Sequence, residues 1–311
     1  MHAFLLNLTT VAGQVFILFL LMTIGFATGK AKLFNDAAIK CVADFCLMFA
    51  TPAVIIKSFM RKFEPSMAKT LLLALLGAAI CHVVGITVGK IFFRCGDDKQ
   101  RKMLQNSTML SNAGFMALPL QTALLGSDGS FYGAAYVIML TIVLWTYSYT
   151  DMSMGKEKMN IKKIILNPGI IAVIIGTPIF LLSLSLPEPI AATVNHIANL
   201  NTPLPMIVVG YYLSNTSFKK VFSNARGLLC VFARLLIVPL ICLLLLYLLG
   251  FRGSMYISTV IAASAPIAVA VTMFSARFDG YTELSANMVS VSTLFAVFTM
   301  PLVVALAQTL A

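Results

Sequence analysis

The sequence predicts an all-α membrane protein, first because of its composition. Hydrophobic residues make up 59% of the 311 residues and charged residues only 11%, whereas a soluble domain is about half apolar and about a quarter charged. The apolar stretches are about 20 residues long, which is the length of helix that crosses a bilayer core. The weak ten-residue alternation of membrane strands does not occur in the sequence. Lipid is therefore the expected solvent for most of the chain.

Ten apolar stretches are predicted as membrane-spanning helices. They cover residues 11–29, 36–58, 68–93, 103–126, 131–150, 164–184, 189–213, 228–249, 254–276 and 283–308. No basic segment precedes the first stretch, and Lys30 and Lys32 follow it at once, so it is interpreted as a retained helix and not as a secretory signal. The six cysteines lack the spacing of metal ligands and predict no disulfide.

Lysine and arginine residues predict the orientation of these helices. Sixteen of them lie in loops that follow odd-numbered spans, and five lie on the opposite side. Because cytoplasmic loops carry an excess of these residues, both chain ends are predicted to be non-cytoplasmic in a multi-pass protein of the cell membrane. The net charge of +11 is spread over short loops, so it indicates topology and no nucleic-acid partner.

Two landmarks recur at one long offset. Thr51-Pro52 in the second stretch returns as Thr202-Pro203 in the seventh, and LSNAGFM (110–116) precedes ASAPIA (263–268) by about the same distance. The chain is therefore predicted to be a single transmembrane domain, 1–311, with repeats 1–150 and 164–311 joined by a basic cytoplasmic hinge, 151–163. Because five spans are an odd number, the second repeat enters from the opposite side of the membrane, which predicts an inverted repeat.

The fourth stretch contains the segment SNAGFMALPLQ (111–121), whose residues weaken a helix. Pro119 removes a hydrogen-bond donor, Gly114 permits unusual dihedral angles, and Asn112 brings an amide. A helix interrupted in hydrocarbon frees backbone groups that cost several kcal/mol each when unpaired. The break is therefore expected to face the protein interior.

The ninth stretch contains the corresponding break at Pro266, which follows Ser264 and Ala265. Two broken helices in equivalent positions of inverted halves are typical of a transporter's central site. Where they cross, the amino-terminal ends of the half-helices present unpaired N–H groups and positive partial charge. Together with the Asn112 amide, these groups suit a carboxylate without any buried Lys or Arg. The alternative is that Pro and Gly only kink the two helices.

The segments SNAGFMALPL, AASAPIAVAVTMFSARF, FATPAVI and LNPGIIAVIIG resemble the auxin efflux carrier family, whose bacterial members include malate and malonate permease-like proteins. The resemblance covers nearly the whole chain. It implies crossing broken helices 4 and 9, a scaffold of helices 1, 2, 6 and 7, and a mobile bundle of helices 3–5 and 8–10. Family members move organic anions by an elevator-like shift, commonly as dimers.

Carried over residue by residue, the resemblance implies a substrate site drawn from four helices. Its residues are Asn112, Ala113, Gly114, Pro119, Ser264, Ala265, Pro266, Thr51, Trp145 and Thr146. Two features depart from the plant members, which have a long cytosolic loop between the halves and an acid and a lysine in the third helix. Here the loop is about a dozen residues, and the third helix reads LLLALLGAAICHVVG (71–85). These departures argue against auxin itself as the substrate.

Ionisable residues inside predicted spans are candidates for coupling or gating, because charge in hydrocarbon is costly. Asp44 and Arg234 have similar predicted depths, so one hypothesis is an ion pair that forms in one transport state only. Alternatively, Asp44 pairs with Lys40 one turn earlier, and Arg234 extends to the cytoplasmic headgroups. Histidine is the side chain whose ordinary pKa lies near neutral, so His82 and His196 are candidates to accept a coupling proton; alternatively, they form hydrogen bonds between helices.

Two pairs of glycines, Gly25 with Gly29 and Gly85 with Gly89, are each spaced one helical turn apart. This spacing is typical of surfaces where membrane helices pack closely. We interpret both pairs as packing surfaces.

The sequence lacks the metalloprotease, phosphate-binding and serine-hydrolase motifs, so no enzyme activity, metal or cofactor is expected. The leading hypothesis is a permease for a small organic anion such as malate or malonate, coupled to H+ or Na+. Alternatives are a sodium-coupled organic acid symporter, a cation/proton antiporter of similar fold, or an anion channel. An antiporter would be expected to place acids at the crossing, and none occurs there. Expected partners are the anion, membrane lipids and a second copy of the chain bound through the scaffold helices.

Overall fold

Helices make up almost all of the structure. The computed structural model describes residues 2–157, 161–216 and 224–311, and this part of the chain contains no strand. Its helices are α1 (His2–Lys30), α2 (Asp36–Phe59), α3 (Pro65–Phe92), α4 (Asp98–Met109), α5 (Ala113–Met152), α6 (Ile161–Ile165), α7 (Pro168–Leu181), α8 (Glu188–Asn199), α9 (Pro203–Ser214), α10 (Ala225–Leu248), α11 (Gly253–Ser264), α12 (Val269–Arg277) and α13 (Thr282–Leu310). The predicted all-α class is confirmed.

Six of these helices are long and apolar enough to cross a membrane. They are α1, α2, α3, α5, α10 and α13, and α7 is an apolar helix of shorter length. The chain is therefore a multi-pass membrane protein. Of the ten predicted spans, the first, second, third, eighth and tenth each correspond to one long helix. The seventh and ninth are divided between α8 and α9 and between α11 and α12.

The fourth and fifth predicted spans are separated by a reversal inside α5. Gly126 has a φ of +60°, a left-handed conformation that glycine adopts without steric cost. After it the chain folds back, because the hydroxyls of Thr122 and Ser130 lie 2.7 Å apart and a Cβ at Gly133 would lie 2.9 Å from Leu118 Cδ1. In a straight helix, positions 118 and 133 would be about 22 Å apart. We call residues 113–125 the short arm of α5 and residues 127–152 its long arm.

The fourth predicted span starts earlier in the structure than its apolar residues indicate. The span was predicted from residue 103, but α4 begins at Asp98. Asp97 caps it, since its carboxylate accepts a hydrogen bond of 3.0 Å from the Gln100 amide. A capped end of this kind extends a helix into polar sequence, which a hydropathy pattern does not include.

The seventh predicted span is interrupted at residues 200–202, between α8 and α9. Pro203 opens α9, and a proline ring does not fit inside a continuous helix. Asn201 is buried in the gap, where its Oδ1 accepts a hydrogen bond of 2.8 Å from the hydroxyl of Thr51 on α2. Thr51 and Thr202, the two landmarks of the sequence repeat, therefore lie near each other through this contact.

Four short π-helical segments interrupt the longer helices. They are Cys46–Ala50, Ala113–Ala117, Leu144–Ser148 and Ala233–Ile237. Three of them end two residues before a proline, namely Pro52, Pro119 and Pro239. A proline ring clashes with the carbonyl four residues earlier, and the wider π turn moves that carbonyl away. The prolines therefore widen these helices without breaking them.

Glycines allow two helix pairs to pack closely, as their spacing predicted. A Cβ at Gly25 of α1 would lie 2.8 Å from the Cα of Ile207 on α9, and a Cβ at Gly85 of α3 would lie 2.8 Å from the Cα of Met109 on α4. Elsewhere α2 packs against α7 and α8, while α3, α4, α5, α10 and α11 pack together.

Candidate functional site

The two predicted breaks lie against each other. One separates α4 from α5 at residues 110–112, and the other separates α11 from α12 at residues 265–268. The backbone N–H of Asn112 donates a 2.8 Å hydrogen bond to the carbonyl of Pro266, and the backbone N–H of Ala268 donates a 3.0 Å hydrogen bond to the carbonyl of Leu110. Ser111 and Ile267 form the antiparallel bridge between them. We call this pair of segments, 110–112 and 265–268, the crossing.

Local sequence explains why each helix stops at the crossing. Ala265 precedes a proline and has the extended conformation expected there, with φ −63° and ψ 150°. On the other side, Leu110 and Asn112 also leave the helical region, with ψ angles of 117° and 59°. The backbone N–H of Ile267, which lies outside both helices, donates a 3.1 Å hydrogen bond to the hydroxyl of Ser292 on the neighbouring helix α13. The crossing is thus held by protein groups, as a break within a membrane requires.

Gly114 and Pro119 lie beyond the break and do not form it. Pro119 stands in the first turn after the π segment of the short arm, where the chain stays helical. Gly114 does not have a positive φ. No atom lies within 4 Å of the position that a Cβ would occupy, and Gly114 is half-buried whereas the residues on either side of it are buried. The sequence therefore predicted the position of the break correctly and misassigned its cause. At Gly114 the backbone of the short arm faces open space.

Asn112 carries an unsatisfied donor at this point. Its side chain is 7% exposed, and its Nδ2 atom has no hydrogen-bond partner among the described residues. A buried donor left unpaired costs about 1–3 kcal/mol, and such groups in native proteins call for an explanation. A ligand that accepts a hydrogen bond next to Gly114 would remove this cost.

Arg234 is buried beside the crossing, at 1% exposure, and binds the ends of two helices. Its Nη1 donates to the carbonyls of Thr108 and Met109 at 3.1 and 2.9 Å, at the end of α4. Its Nε donates to Ala265 at 3.1 Å, and its Nη2 donates to Ala263, at the end of α11. A buried arginine therefore lies beside the crossing, and the prediction that a carboxylate is held there without one stays untested.

Among the described residues, Arg234 and Asp44 form no ion pair in this conformation, so the hypothesis of a pair that forms in one transport state only stays a prediction. Arg234 does not extend to the headgroups, because carbonyls 29 to 126 residues away in sequence hold it inside. Asp44 is exposed on α2, and the ion pairs found among the described residues join neither residue to the other. Each nitrogen of the guanidinium already donates to a backbone carbonyl, so its hydrogen bonding does not depend on a carboxylate.

The predicted hydroxyls of the site are already bonded. Ser264 donates a 2.9 Å hydrogen bond to the carbonyl of Ile261, and Thr146 donates one of 2.7 Å to Ile142, each within its own helix. Thr51 is bonded to Asn201, in the gap between α8 and α9. In this conformation these three hydroxyls therefore offer a ligand no free hydrogen-bond donor.

Trp145 connects the long arm of α5 to the second half-helix of the crossing. Its ring centroid lies 5.5 Å from that of Phe274 on α12, and its indole Nε1 has no partner among the described residues. The same side chain lines a cleft of about 480 Å³ together with Lys162, Lys163, Leu166, Asn167 and Pro168. The hinge lysines of this cleft were read from the sequence only as topology signals.

The two histidines lie in different surroundings. His82 is buried on α3, where its Nδ1 lies 2.7 Å from the carbonyl of Ala78 and its Nε2 has no partner among the described residues. Its ring centroid lies 5.1 Å from that of Tyr136 on α5. His196 is exposed on α8. The hydrogen bond of His82 is made within its own helix and not between helices.

Comparison with known proteins identifies the family. A sequence model described as "Membrane transport protein" matches residues 10–162 and again residues 152–304. An uncharacterized transporter of Methanothermobacter thermautotrophicus is 28% identical over 263 residues, which are 81% of this chain and 84% of that protein. An uncharacterized transporter of Methanocaldococcus jannaschii is 22% identical over 298 residues, 93% of this chain and 96% of that protein. The chain therefore belongs to the membrane transport protein family, that of the auxin efflux carriers, and is a transporter and not an enzyme.

Proposed function

We propose that the chain is a secondary active transporter of a small organic anion, a carboxylate such as malate or malonate, and that it works by elevator-like alternating access. In this proposal the anion binds at the crossing, between the amino-terminal ends of the short arm of α5 and of α12. The absence of acidic residues from 110–114 and 264–268 favours an anion over the cations that an antiporter would carry.

The architecture that we propose has ten spans in two inverted repeats, 1–150 and 164–311, joined by the hinge 151–163. In this count, α4 with the short arm of α5 forms the fourth span, α8 with α9 the seventh, and α11 with α12 the ninth. The two matches of the family model, at 10–162 and 152–304, support the division. We place both termini outside the cytoplasm, in the cell membrane, because of the lysine and arginine distribution.

The proposal rests on one observation, the unpaired Nδ2 atom of the Asn112 side chain. The first N–H groups of a helix have no partner within it, and they carry positive partial charge. At the start of the short arm, these groups lie next to the Asn112 Nδ2 atom and the open space at Gly114. A carboxylate has several acceptor sites, so one such group satisfies the amide and the helix end together.

The remaining predicted residues complete the proposed site. Ala113 and Pro119 belong to the short arm, and Ser264, Ala265 and Pro266 form the facing segment. We place Thr51 at the scaffold side and Trp145 with Thr146 at the cytoplasmic approach, where the lysine-lined cleft would attract anions.

The proposed movement separates two groups of helices. The scaffold comprises α1, α2 and α7 to α9. Two copies of the chain form a homodimer through these helices, and membrane lipids surround it. The bundle comprises α3 to α5 and α10 to α13, and it carries the crossing. Coupling to H+ or Na+ drives uptake or export, and the free Nε2 atom of His82 inside the bundle is the proposed proton acceptor. His196 remains an exposed alternative.

The experiment is counterflow in proteoliposomes with a panel of labelled mono- and dicarboxylates. We expect saturable counterflow for at least one carboxylate. Asn112→Ala should raise its KM about 10- to 100-fold, since a hydrogen bond to a charged group contributes about 1.5–3 kcal/mol. Asn199→Ala, which removes an exposed amide from the end of α8, is the matched control and should leave KM unchanged.

A second readout separates binding from folding. Because the Asn112 amide is unpaired, its removal should leave the ligand-free protein as stable as the wild type or more stable. Normal KM in Asn112→Ala would refute the proposed site. Flux without saturation or counterflow would indicate a channel, and failure of every carboxylate would refute the substrate class.

A further inference from the structure

Arg234 is a buried charge without an acidic partner. Among the Lys, Arg, Asp and Glu side chains of the described residues, Arg234 is the one that is buried, and segments 110–112 and 265–268 contain no acidic residue. Its hydrogen bonds all go to backbone carbonyls, two at the end of α4 and two at the end of α11. A buried cation is retained only where negative charge compensates it, and here the compensating groups are the carboxyl ends of two helices.

The crossing brings together four helix ends. Two are carboxyl ends, those of α4 and α11, and two are amino ends, those of the short arm and of α12. Each end carries about half an elementary charge, negative at a carboxyl end and positive at an amino end. Without a side-chain charge, the four ends sum to about zero, and the crossing would attract neither anions nor cations.

We propose that Arg234 is a specificity-determining positioning residue, which neutralises the two carboxyl ends and leaves the two amino ends to give the crossing a net positive potential. The inference rests on the proposed anion site and deepens it. Arg234 does not touch the anion in this account, because each of its three nitrogens already donates to a carbonyl. It acts through the helix ends, and the unpaired amide of Asn112 lies on the side where the positive potential remains.

The distance sets the expected size of the effect. Met109, whose carbonyl binds Arg234 at 2.9 Å, precedes Asn112 by three residues, so an anion at Asn112 lies about 10 Å from the guanidinium. At an effective dielectric constant of about 20, removal of a unit charge at that distance weakens anion binding by about tenfold. Removal of a residue that touches the anion would instead lose the whole binding free energy of its hydrogen bond.

The test compares variants of Arg234 that differ in charge. Equilibrium binding of radiolabelled malonate and malate to the purified full-length protein should weaken about tenfold in Arg234→Gln, which keeps donors for the carbonyls. Binding should stay within about threefold of wild type in Arg234→Lys, which keeps the charge. Arg226→Gln, a change at an exposed arginine of the same helix, should have no effect. Competition by the neutral malonamide should be equal in all variants.

The outcomes distinguish this inference from the proposed function. Wild-type protein that binds neither these two acids nor any other carboxylate of the panel would overturn both. Unchanged anion binding in Arg234→Gln, or an equal loss in Arg234→Gln and Arg234→Lys, would overturn the charge role alone.

A second pair of variants leaves Arg234 in place, in case its replacement prevents folding. Cys230 lies one turn earlier on α10, is buried, and contacts the carbonyl of Leu104 on α4. Cys230→Asp would cancel the charge of Arg234, whereas Cys230→Asn would not. We expect about tenfold weaker malonate binding in Cys230→Asp than in Cys230→Asn, and equal binding in the two would contradict the inference.

Discussion

The contact between α1 and α9 gives a prediction with an internal control. In Gly25→Ala, the new Cβ would lie 2.8 Å from the Cα and 2.7 Å from the carbonyl carbon of Ile207. Carbon atoms pack at about 3.5–4.0 Å, so the two helices must separate by about 1 Å. Overpacking costs about 1–3 kcal/mol, and we expect the upper part of this range because the opposing atoms are backbone atoms, which cannot change rotamer.

Gly13→Ala on the same helix is the control, because no atom lies within 4 Å of its added Cβ. Alanine is the better helix former, by up to about 1 kcal/mol. Unfolding in mixed detergent micelles, followed by circular dichroism, should therefore show Gly25→Ala less stable and Gly13→Ala as stable as wild type or more stable. Equal stability of the two variants would refute the close packing of α1 on α9.

Two further predictions concern contacts that hold the scaffold and the start of α4. Thr51→Val and Asn201→Leu should each destabilise the protein, and the double variant should reveal a coupling of about 1 kcal/mol in a double-mutant cycle; strict additivity would contradict their hydrogen bond. Asp97→Ala should cost about 1 kcal/mol of stability in thermal unfolding because α4 loses its cap, whereas Asp97→Ser should cost little; an equal loss in both would show that the capping interaction does not stabilise α4.

The position of the crossing was predictable because its causes are local. Pro266 lacks an amide hydrogen and restricts Ala265, so the break in the ninth span follows from two adjacent residues. The break at residues 110–112 was located correctly, but its cause was assigned to Gly114 and Pro119, which lie within the following helix. A proline can be accommodated by a preceding π segment, and the sequence gives no direct sign of that accommodation.

The hydroxyls and the charges of the site were harder to predict. Ser264 and Thr146 were predicted as substrate-site residues, and in the structure each hydroxyl donates to a carbonyl of its own helix. This local bond is a common alternative for such residues inside helices. Asn201 was not singled out at all, although the neighbouring Thr202-Pro203 pair marked the gap in which it lies.

Composition and hydropathy by themselves determined that this chain is an all-α membrane protein, because lipid forces each backbone to pair within its own helix. Breakers and their repeat at one offset located the two interrupted helices that meet at the crossing. Only the tertiary structure decided which groups Arg234 binds, because its partners on α4 lie 125 and 126 residues away and are backbone carbonyls, which every residue carries. A sequence shows which side chains can donate a hydrogen bond. Because all backbone carbonyls are chemically alike, it does not show which of them the fold brings to that donor.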